Sequence, residues 1–295
     1  MRVIVIGFLV VVVTFVGGTY WVGTQLTKPA RAQIGESPDF LSAEDVRFPS
    51  ATGVSLRGWY VPGRRECGAV VLMHAVGGNR SAMIGRARFL THAGYAVLLF
   101  DFQAHGESEG NAITYGAREK DDARAAVQFV AKRHPSAPIG VIGFSLGGVA
   151  AVLNGPALGA DAIVLEAVYP SFAQALTNRV RLYAGPLAHL LAQPLLMYLQ
   201  LRFGLSPQEL RPIDHIASLG TPVFILGGSE DQRTVLSETQ ELFSTASSPK
   251  KLWVLKGARH HDLHSYNSVD YQTKVLEFLD EHVGCEPHPS TTDTA

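Results

Sequence analysis

Three residues combine chemical types and positions that suit nucleophilic catalysis: Ser145, Asp231 and His260. A serine hydroxyl is a weak nucleophile until an imidazole takes its proton and a carboxylate orients that imidazole. Ser145 stands in Gly143-Phe144-Ser145-Leu146-Gly147-Gly148, between an apolar run at 138–142 and a helical stretch at 149–153. A Gly-x-Ser-x-Gly motif between a strand and a helix predicts a sharp turn. This turn strains the serine backbone and presents the serine hydroxyl above a sheet.

Asp231 and His260 also follow predicted strands, at 222–226 and 251–255. Ligands of parallel sheets bind beyond the carboxyl ends of the strands. The sequence therefore predicts that these two side chains and Ser145 share one edge of a sheet, and their order along the chain suits a hydrolase triad.

The elements that must carry these residues alternate along the chain. A hairpin is predicted at 45–48 and 55–61, and further strands and helices alternate from 69 to 283, which indicates an α/β fold with a mainly parallel sheet and helices on both faces. The interval 169–219 is about 50 residues long, too long for an ordinary connection, and predicts an inserted cap. Pro186 and Pro194 are expected to divide this cap into short helices.

The motifs resemble those of α/β-hydrolase-fold serine hydrolases, especially small membrane-anchored hydrolases similar to the Bem46 proteins and the serine-aminopeptidase-like hydrolases. The matching segments are 74–81, 101–108, 143–148, 228–231 and 257–263, within roughly residues 45–284. The resemblance implies Ser145 as nucleophile, Asp231 as acid and His260 as base. It also implies an oxyanion hole made by the backbone N–H groups of Val76 and Leu146, and no cofactor.

This interpretation predicts that the protein cleaves a carboxylic ester or thioester with an apolar acyl group, and that the reaction passes through an acyl-enzyme. The cap leucines, among them Leu195, Leu196 and Leu199, are expected to roof the pocket over Ser145, although they would have the same composition if they packed only on the sheet. A peptidase of the serine-aminopeptidase type is the alternative, and it would need a pocket carboxylate for the substrate amine. A second alternative is an inactive binding module with a hydrolase fold, and the presence of all three predicted triad residues argues against it.

Other polar residues have competing interpretations. Glu166 also follows a strand and is an alternative triad acid. The cluster His260, His261, Asp262 and His264 could suggest a metal site, but no second cluster completes a coordination sphere, so no metal is predicted. His74 is expected to be a hydrogen-bonded structural residue, and Asp101 and His105 to brace a loop beside the pocket.

The composition limits the partners. The 295-residue chain has a formal net charge of −1, which gives no electrostatic case for nucleic acid, and nothing indicates an oligomeric state. The two cysteines, Cys67 and Cys285, lie far apart and predict neither a metal motif nor a disulfide framework.

The first 23 residues predict a single-pass membrane anchor. No residue from 3 to 22 is charged, and about 20 helical residues span roughly 30 Å, the hydrocarbon thickness. Tyr20 and Trp21 suit the membrane interface. The alternative is a signal peptide cleaved near Ala30-Arg31-Ala32. We expect an uncleaved anchor at 1–23, a linker at 24–40, a catalytic domain at 41–284 outside the cytoplasm, and a disordered tail at 285–295.

Overall fold

The computed structural model describes residues 2–64 and 67–284, so the predicted tail and Cys285 lie outside the described residues. The strands are β1 (Ala30–Arg31), β2 (Glu44–Pro49), β3 (Ser55–Val61), β4 (Ala69–Met73), β5 (Ala96–Phe100), β6 (His105–Gly106), β7 (Ile139–Phe144), β8 (Ala162–Glu166), β9 (Val223–Gly228) and β10 (Lys250–Leu255). The helices are α1 (Arg2–Thr27), α2 (Ile84–Ala93), α3 (Glu119–Arg133), α4 (Leu146–Val152), α5 (Phe172–Ala184), α6 (Ala188–Phe203), α7 (Leu236–Thr245), α8 (Leu263–Tyr266) and α9 (Ser268–Val283).

Eight of these strands form one sheet in the order β10-β9-β8-β7-β4-β5-β3-β2. The predicted hairpin β2–β3 pairs antiparallel, β3 is antiparallel to β5, and the remaining neighbours are parallel. Every residue of β4, β5, β8 and β9 is buried, which explains their continuous apolar runs. The prediction of a mainly parallel sheet is confirmed.

Helices cover both faces of this sheet. One apolar core includes Val127 of α3 and Val149 of α4, and the other includes Leu90 of α2 and Leu279 of α9. Strands β4, β7, β9 and β10 run in the same direction within the sheet, so the turns that follow them lie at one edge. These turns carry the predicted site residues.

The interval 169–219 forms the predicted helical insertion, mainly α5 and α6, which pack against each other. The prediction that Pro194 divides this cap is wrong, because α6 runs unbroken through it. Proline removes the hydrogen bond to the carbonyl four residues earlier, here that of Leu190, whose side chain is exposed. Water can solvate that carbonyl, so the helix tolerates the loss.

The segment after the apolar run is packed on the domain. Helix α1 continues to Thr27, and β1 then pairs with β6. Thr27 accepts a hydrogen bond from the Ile113 N–H at 2.9 Å, and the Ala30 N–H donates to the Ala104 carbonyl at 2.8 Å. The predicted linker at 24–40 thus begins with ordered elements bound to the domain. Within the described residues, one helix, spanning Ile4–Thr27, is long and apolar enough to cross a membrane.

The prediction for the cysteines needs correction. Cys67 is buried and disulfide-bonded, at the turn that leads into β4.

Candidate active site

Ser145 occupies the predicted strained turn between β7 and α4. Its backbone has φ 50° and ψ −109°, a conformation that non-glycine residues rarely adopt. The two flanking glycines are needed for close packing: a Cβ at Gly143 would lie 2.4 Å from the Gly148 nitrogen, and one at Gly147 would lie 2.2 Å from the Met73 carbonyl oxygen. The motif therefore seats α4 directly against the ends of β7 and β4, with Ser145 at its N-terminus.

Asp231 and His260 are in direct contact. The His260 Nδ1 lies 2.7 Å from Asp231 Oδ2, and the other carboxylate oxygen of Asp231 accepts the N–H groups of Arg233 and Thr234 at 2.7 and 2.9 Å. The carboxylate is buried and held by backbone donors, so it fixes the imidazole with Nδ1 as donor and Nε2 as acceptor. This is the tautomer that a general base requires.

Two loops that follow adjacent strands create this contact. The Ser229 N–H donates to the Leu255 carbonyl at 3.0 Å, and the Glu230 N–H donates to the Ala258 carbonyl at 2.9 Å. Gly228 permits the approach, because a Cβ there would lie 2.2 Å from the Ala258 oxygen. The turn after β9 and the turn after β10 are therefore bound together.

The imidazole also lies beside the serine turn. The ring centroids of His260 and Phe144, the residue before Ser145, are 5.7 Å apart. Within the described residues the Ser145 hydroxyl has no hydrogen-bond partner. Catalytic hydrogen bonds are often long in unliganded sites and shorten when substrate binds.

Glu166, the alternative candidate for the triad acid, contacts Arg86 and Tyr271. Its buried carboxylate binds the guanidinium of Arg86, with Nε at 2.9 Å, and accepts the hydroxyl of Tyr271. Arg86 also binds Asp262, two residues after His260, at 2.6 Å. Glu166 therefore anchors the loop that carries the histidine, through a buried ion pair.

The residues of the suspected metal cluster have separate partners. His260 binds Asp231, Asp262 binds Arg86, and His264 lies 3.2 Å from the amide of Gln272. His261 is exposed and packs against the Tyr266 ring. Their side chains thus take part in different contacts.

The predicted oxyanion donors lie beside the serine. Val76 and Leu146 both line the pocket that contains Ser145. Leu146 is the first residue of α4, so its N–H has no intrahelical acceptor. In the described part of the chain the Val76 N–H has no acceptor either. Both groups are available to a developing oxyanion.

The turn that carries Val76 is supported by buried polar groups. His74 accepts the Phe102 N–H at Nε2 and donates from Nδ1 to the Ala75 carbonyl, and burial lowers its pKa to about 3. Asp101 binds Arg80, and it also accepts the Glu107 N–H at 3.0 Å. Both residues brace loops, as the sequence predicts.

The pocket beside Ser145 is small and mainly apolar. Besides Ser145 and the two oxyanion residues it is lined by Leu26, Tyr115, Tyr169, Phe172, Ala175, Leu176 and Arg179. The roof is thus α5 and the last turn of α1. The predicted roof leucines of α6, Leu195, Leu196 and Leu199, are buried but are not among the described residues that line this pocket.

Sequence reasoning did not find most of these lining residues. Leu26 lies in the predicted linker at 24–40, and its carbonyl accepts the Tyr115 hydroxyl at 2.7 Å. Burial raises the pKa of Tyr115 to about 12, although the nearby Arg179 opposes this shift. The available signal was the position of α5, which directly follows β8 at the catalytic edge.

Arg179 is the charged residue among the described pocket-lining side chains, which include no carboxylate. Within the described residues it has no carboxylate in ion-pair contact. An unpaired guanidinium at a pocket wall can bind a substrate carboxylate or phosphate.

Comparisons with known proteins agree with this architecture. The family model described as "Serine aminopeptidase, S33" matches residues 64–201. The Bacillus subtilis protein YqkD is 29% identical over 242 residues, which cover 79% of this chain and 78% of that protein. The Mycobacterium tuberculosis protein Rv2307c is 28% identical over 258 residues, 86% of this chain and 85% of that protein. The Pyrococcus furiosus esterase Pf2001 superposes with a TM-score of 0.74 at 26% identity, over 88% of this chain and 99% of that structure.

Proposed function

We propose that this chain, whose fold resembles that of the Pyrococcus furiosus esterase Pf2001, is a serine hydrolase that cleaves a carboxylic ester or thioester through Ser145, His260 and Asp231. The observation that carries the proposal is the 2.7 Å contact between His260 Nδ1 and buried Asp231, beside a serine in a strained turn. Structural roles alone would not require this combination of strain and orientation.

Each group has a step in the proposed reaction. His260 Nε2 takes the proton of Ser145 as the oxygen attacks the carbonyl carbon, and Asp231 stabilises the imidazolium that forms. The backbone N–H groups of Val76 and Leu146 stabilise the tetrahedral oxyanion. The imidazolium then protonates the leaving group, and water activated by the same imidazole releases the acid from the acyl-enzyme.

The pocket supports an apolar acyl group. Leu26, Phe172 and Leu176 form its walls, and burial of aliphatic groups is the main source of affinity at such a surface. Arg179 adds a cation at the wall, so a substrate that also carries an anionic group would gain a charge-assisted contact.

An ester is favoured over a peptide. The family model carries an aminopeptidase description, and an aminopeptidase must bind the protonated amine of its substrate. A cationic amine would meet Arg179 rather than a carboxylate among the described lining residues, which costs binding energy.

The test is a pair of measurements on the purified full chain. A fluorophosphonate probe should label the parent protein, and p-nitrophenyl butyrate should be hydrolysed faster than alanine p-nitroanilide. Faster turnover of the anilide would favour the peptidase. Absence of both labelling and hydrolysis in folded protein would favour the binding module and contradict the proposal.

We also propose that α1 anchors the protein in a membrane, with the catalytic domain outside the cytoplasm. The helix is long and apolar enough to span a bilayer, and the disulfide at Cys67 suits an oxidising compartment. The expected result is resistance to carbonate extraction, with the domain accessible to protease outside intact cells. A secreted chain that begins near Gln33 would show a cleaved signal peptide instead, and a protected domain would reverse the orientation.

A further inference from the structure

A groove separate from the pocket beside Ser145 lies where α1 meets α6, and it is partly open to solvent. Its lining residues are Tyr20, Thr24, Thr27, Lys28, Pro29, Asn111, Ala112, Arg118, Tyr198, Arg202 and Phe203. We propose that this groove binds the phosphate headgroup of an anionic membrane phospholipid. The proposal rests on the membrane placement of α1 in the proposed function, and it is independent of the catalytic assignment.

The charge of the groove identifies the ligand class. Lys28, Arg118 and Arg202 line it, and no aspartate or glutamate is among its described lining residues. No carboxylate in the described part of the chain forms an ion pair with any of the three. Since the whole chain has a net charge of only −1, this is a local concentration of positive charge.

Three separate segments contribute these cations. Lys28 directly follows α1, Arg118 directly precedes α3, and Arg202 is in the last turn of α6. Cations that converge from distant positions in the chain, with no anion between them, repel one another unless an anion joins them. Phosphate accepts charge-assisted hydrogen bonds from both arginine and lysine, so it suits this set.

Neutral donors in the groove add directional contacts. The hydroxyl of Tyr198 lies 3.1 Å from Thr24 Oγ1, and Asn111 also lines the groove. Helices α1 and α6 pack closely at this point. The Tyr20 and Tyr198 rings meet edge to face with their centroids 5.7 Å apart. A Cβ at Gly23 would lie 2.3 Å from the Tyr198 ring, so the contact requires glycine there. The groove is therefore a defined feature of the packing of α1 on α6.

The position of the groove along α1 selects a lipid over a free phosphate. The candidate span Ile4–Thr27 has 24 residues, and at about 1.5 Å per residue it measures roughly 36 Å. The hydrocarbon layer accounts for about 30 Å, and each headgroup layer adds roughly 5–7 Å. The last turn of α1, which lines the groove, thus lies at the depth of the lipid phosphates, and Tyr20 lies where interfacial aromatic residues concentrate.

The test measures binding to the full chain in nonionic detergent, with short-chain diether phosphatidylglycerol as the probe, because an ether lipid cannot be hydrolysed. Diether phosphatidylcholine and inorganic phosphate are the comparison ligands. The variant is Arg118→Gln with Arg202→Gln. The matched control is Lys132→Gln with Lys274→Gln, which removes the same charge from exposed positions outside the groove.

We expect the parent to prefer phosphatidylglycerol, and the groove variant to bind it roughly thirtyfold more weakly, because each cation near an anionic lipid contributes about fivefold. The control variant should keep the parent affinity. Equal affinity for the two lipids, or equal losses in the two variants, would overturn the proposal. Competition by inorganic phosphate at the same affinity as the lipid would also overturn it, in favour of a soluble phosphate ligand. If carbonate releases the protein from membranes, the anchor proposal fails. The lipid-binding measurements are made in detergent, so their outcome does not depend on that result.

Discussion

Leu26 links α1 to the pocket beside Ser145, and its replacement by alanine is the most informative change to the pocket. Leu26 is half-buried at the pocket wall, in the last turn of α1. Full burial of a leucine side chain contributes about 1.5–3 kcal/mol, so half of that gives about 1 kcal/mol. This corresponds to roughly a five- to tenfold fall in kcat/KM for acyl chains that reach the wall.

The assay is a series of p-nitrophenyl esters from acetate to decanoate, measured on the full chain. Acetate carries only one methyl group on its carbonyl carbon, so its kcat/KM should change least in Leu26→Ala, and the loss should grow with chain length. Leu195→Ala is the comparison, because that α6 residue is buried in the core. It should lower the free energy of unfolding by about 2–5 kcal/mol and leave the chain-length profile unchanged.

Two results would refute this reasoning. A Leu26→Ala variant with the same loss at every chain length would show that Leu26 supports the fold and does not contact the acyl group. A chain-length effect in Leu195→Ala would show that α6 forms the acyl wall, as the sequence predicts. Leu201→Ala, at an exposed position of α6, controls for general effects of truncating a leucine near α1.

Asp231→Asn should lower kcat by several orders of magnitude at unchanged stability, since the imidazole loses its orienting carboxylate. Glu166→Gln should instead cost about 3–5 kcal/mol of stability with turnover per folded molecule largely kept, because the buried Arg86 guanidinium loses its buried anion and retains only the partly exposed Asp262. The reverse pattern in paired melting and kinetic measurements would exchange the two roles. Arg179→Gln should reduce kcat/KM for a p-nitrophenyl hemisuccinate about 10- to 100-fold relative to the butyrate ester, because a charge-assisted contact is lost, and Arg181→Gln, on the same helix outside this pocket, should not; equal effects on both esters would remove Arg179 from substrate binding. Burial raises the pKa of Asp122 to about 7, so the folded state binds this proton more tightly than the unfolded state and unfolding free energy falls as pH rises from about 4 to 7. Between pH 5 and pH 8 the parent should therefore lose about 3 kcal/mol of stability that Asp122→Asn keeps, since each pH unit below the folded pKa corresponds to about 1.4 kcal/mol. A stability difference between the two proteins that does not change with pH would contradict the buried-carboxylate account.

The sequence predicted well which residues lie at the edge of the sheet that carries Ser145, because local rules determine their positions. The glycines at 143 and 147 are required by contacts of 2.2–2.4 Å, and such contacts leave a readable motif. Asp231 and His260 follow strands that pair in parallel, so their positions in the chain were enough to bring them to one edge. The Ser145 role itself stays a prediction until the chemistry is measured.

The pocket wall was not predictable from these rules. Apolar composition is the same for a residue in a core, a membrane or a pocket, so it could not distinguish Leu26 from its neighbours or Leu176 from Leu196. The distinction depends on how α1 and α5 pack over β7, which is tertiary information. The continuity of α6 through Pro194 also depends on tertiary information. The helix tolerates this proline because the turn before it is exposed to solvent, which the sequence alone does not reveal.

The central claim is that Ser145 is the nucleophile, and covalent labelling tests it most directly. The full chain is treated with a fluorophosphonate, digested, and the modified residue is located by mass spectrometry, with Ser145→Ala and His260→Ala carried in parallel after their folding is verified by thermal melting. We expect a single adduct on Ser145, none in Ser145→Ala, and labelling slowed at least a hundredfold in His260→Ala. An adduct on another residue, or undiminished labelling of folded Ser145→Ala, would contradict the account.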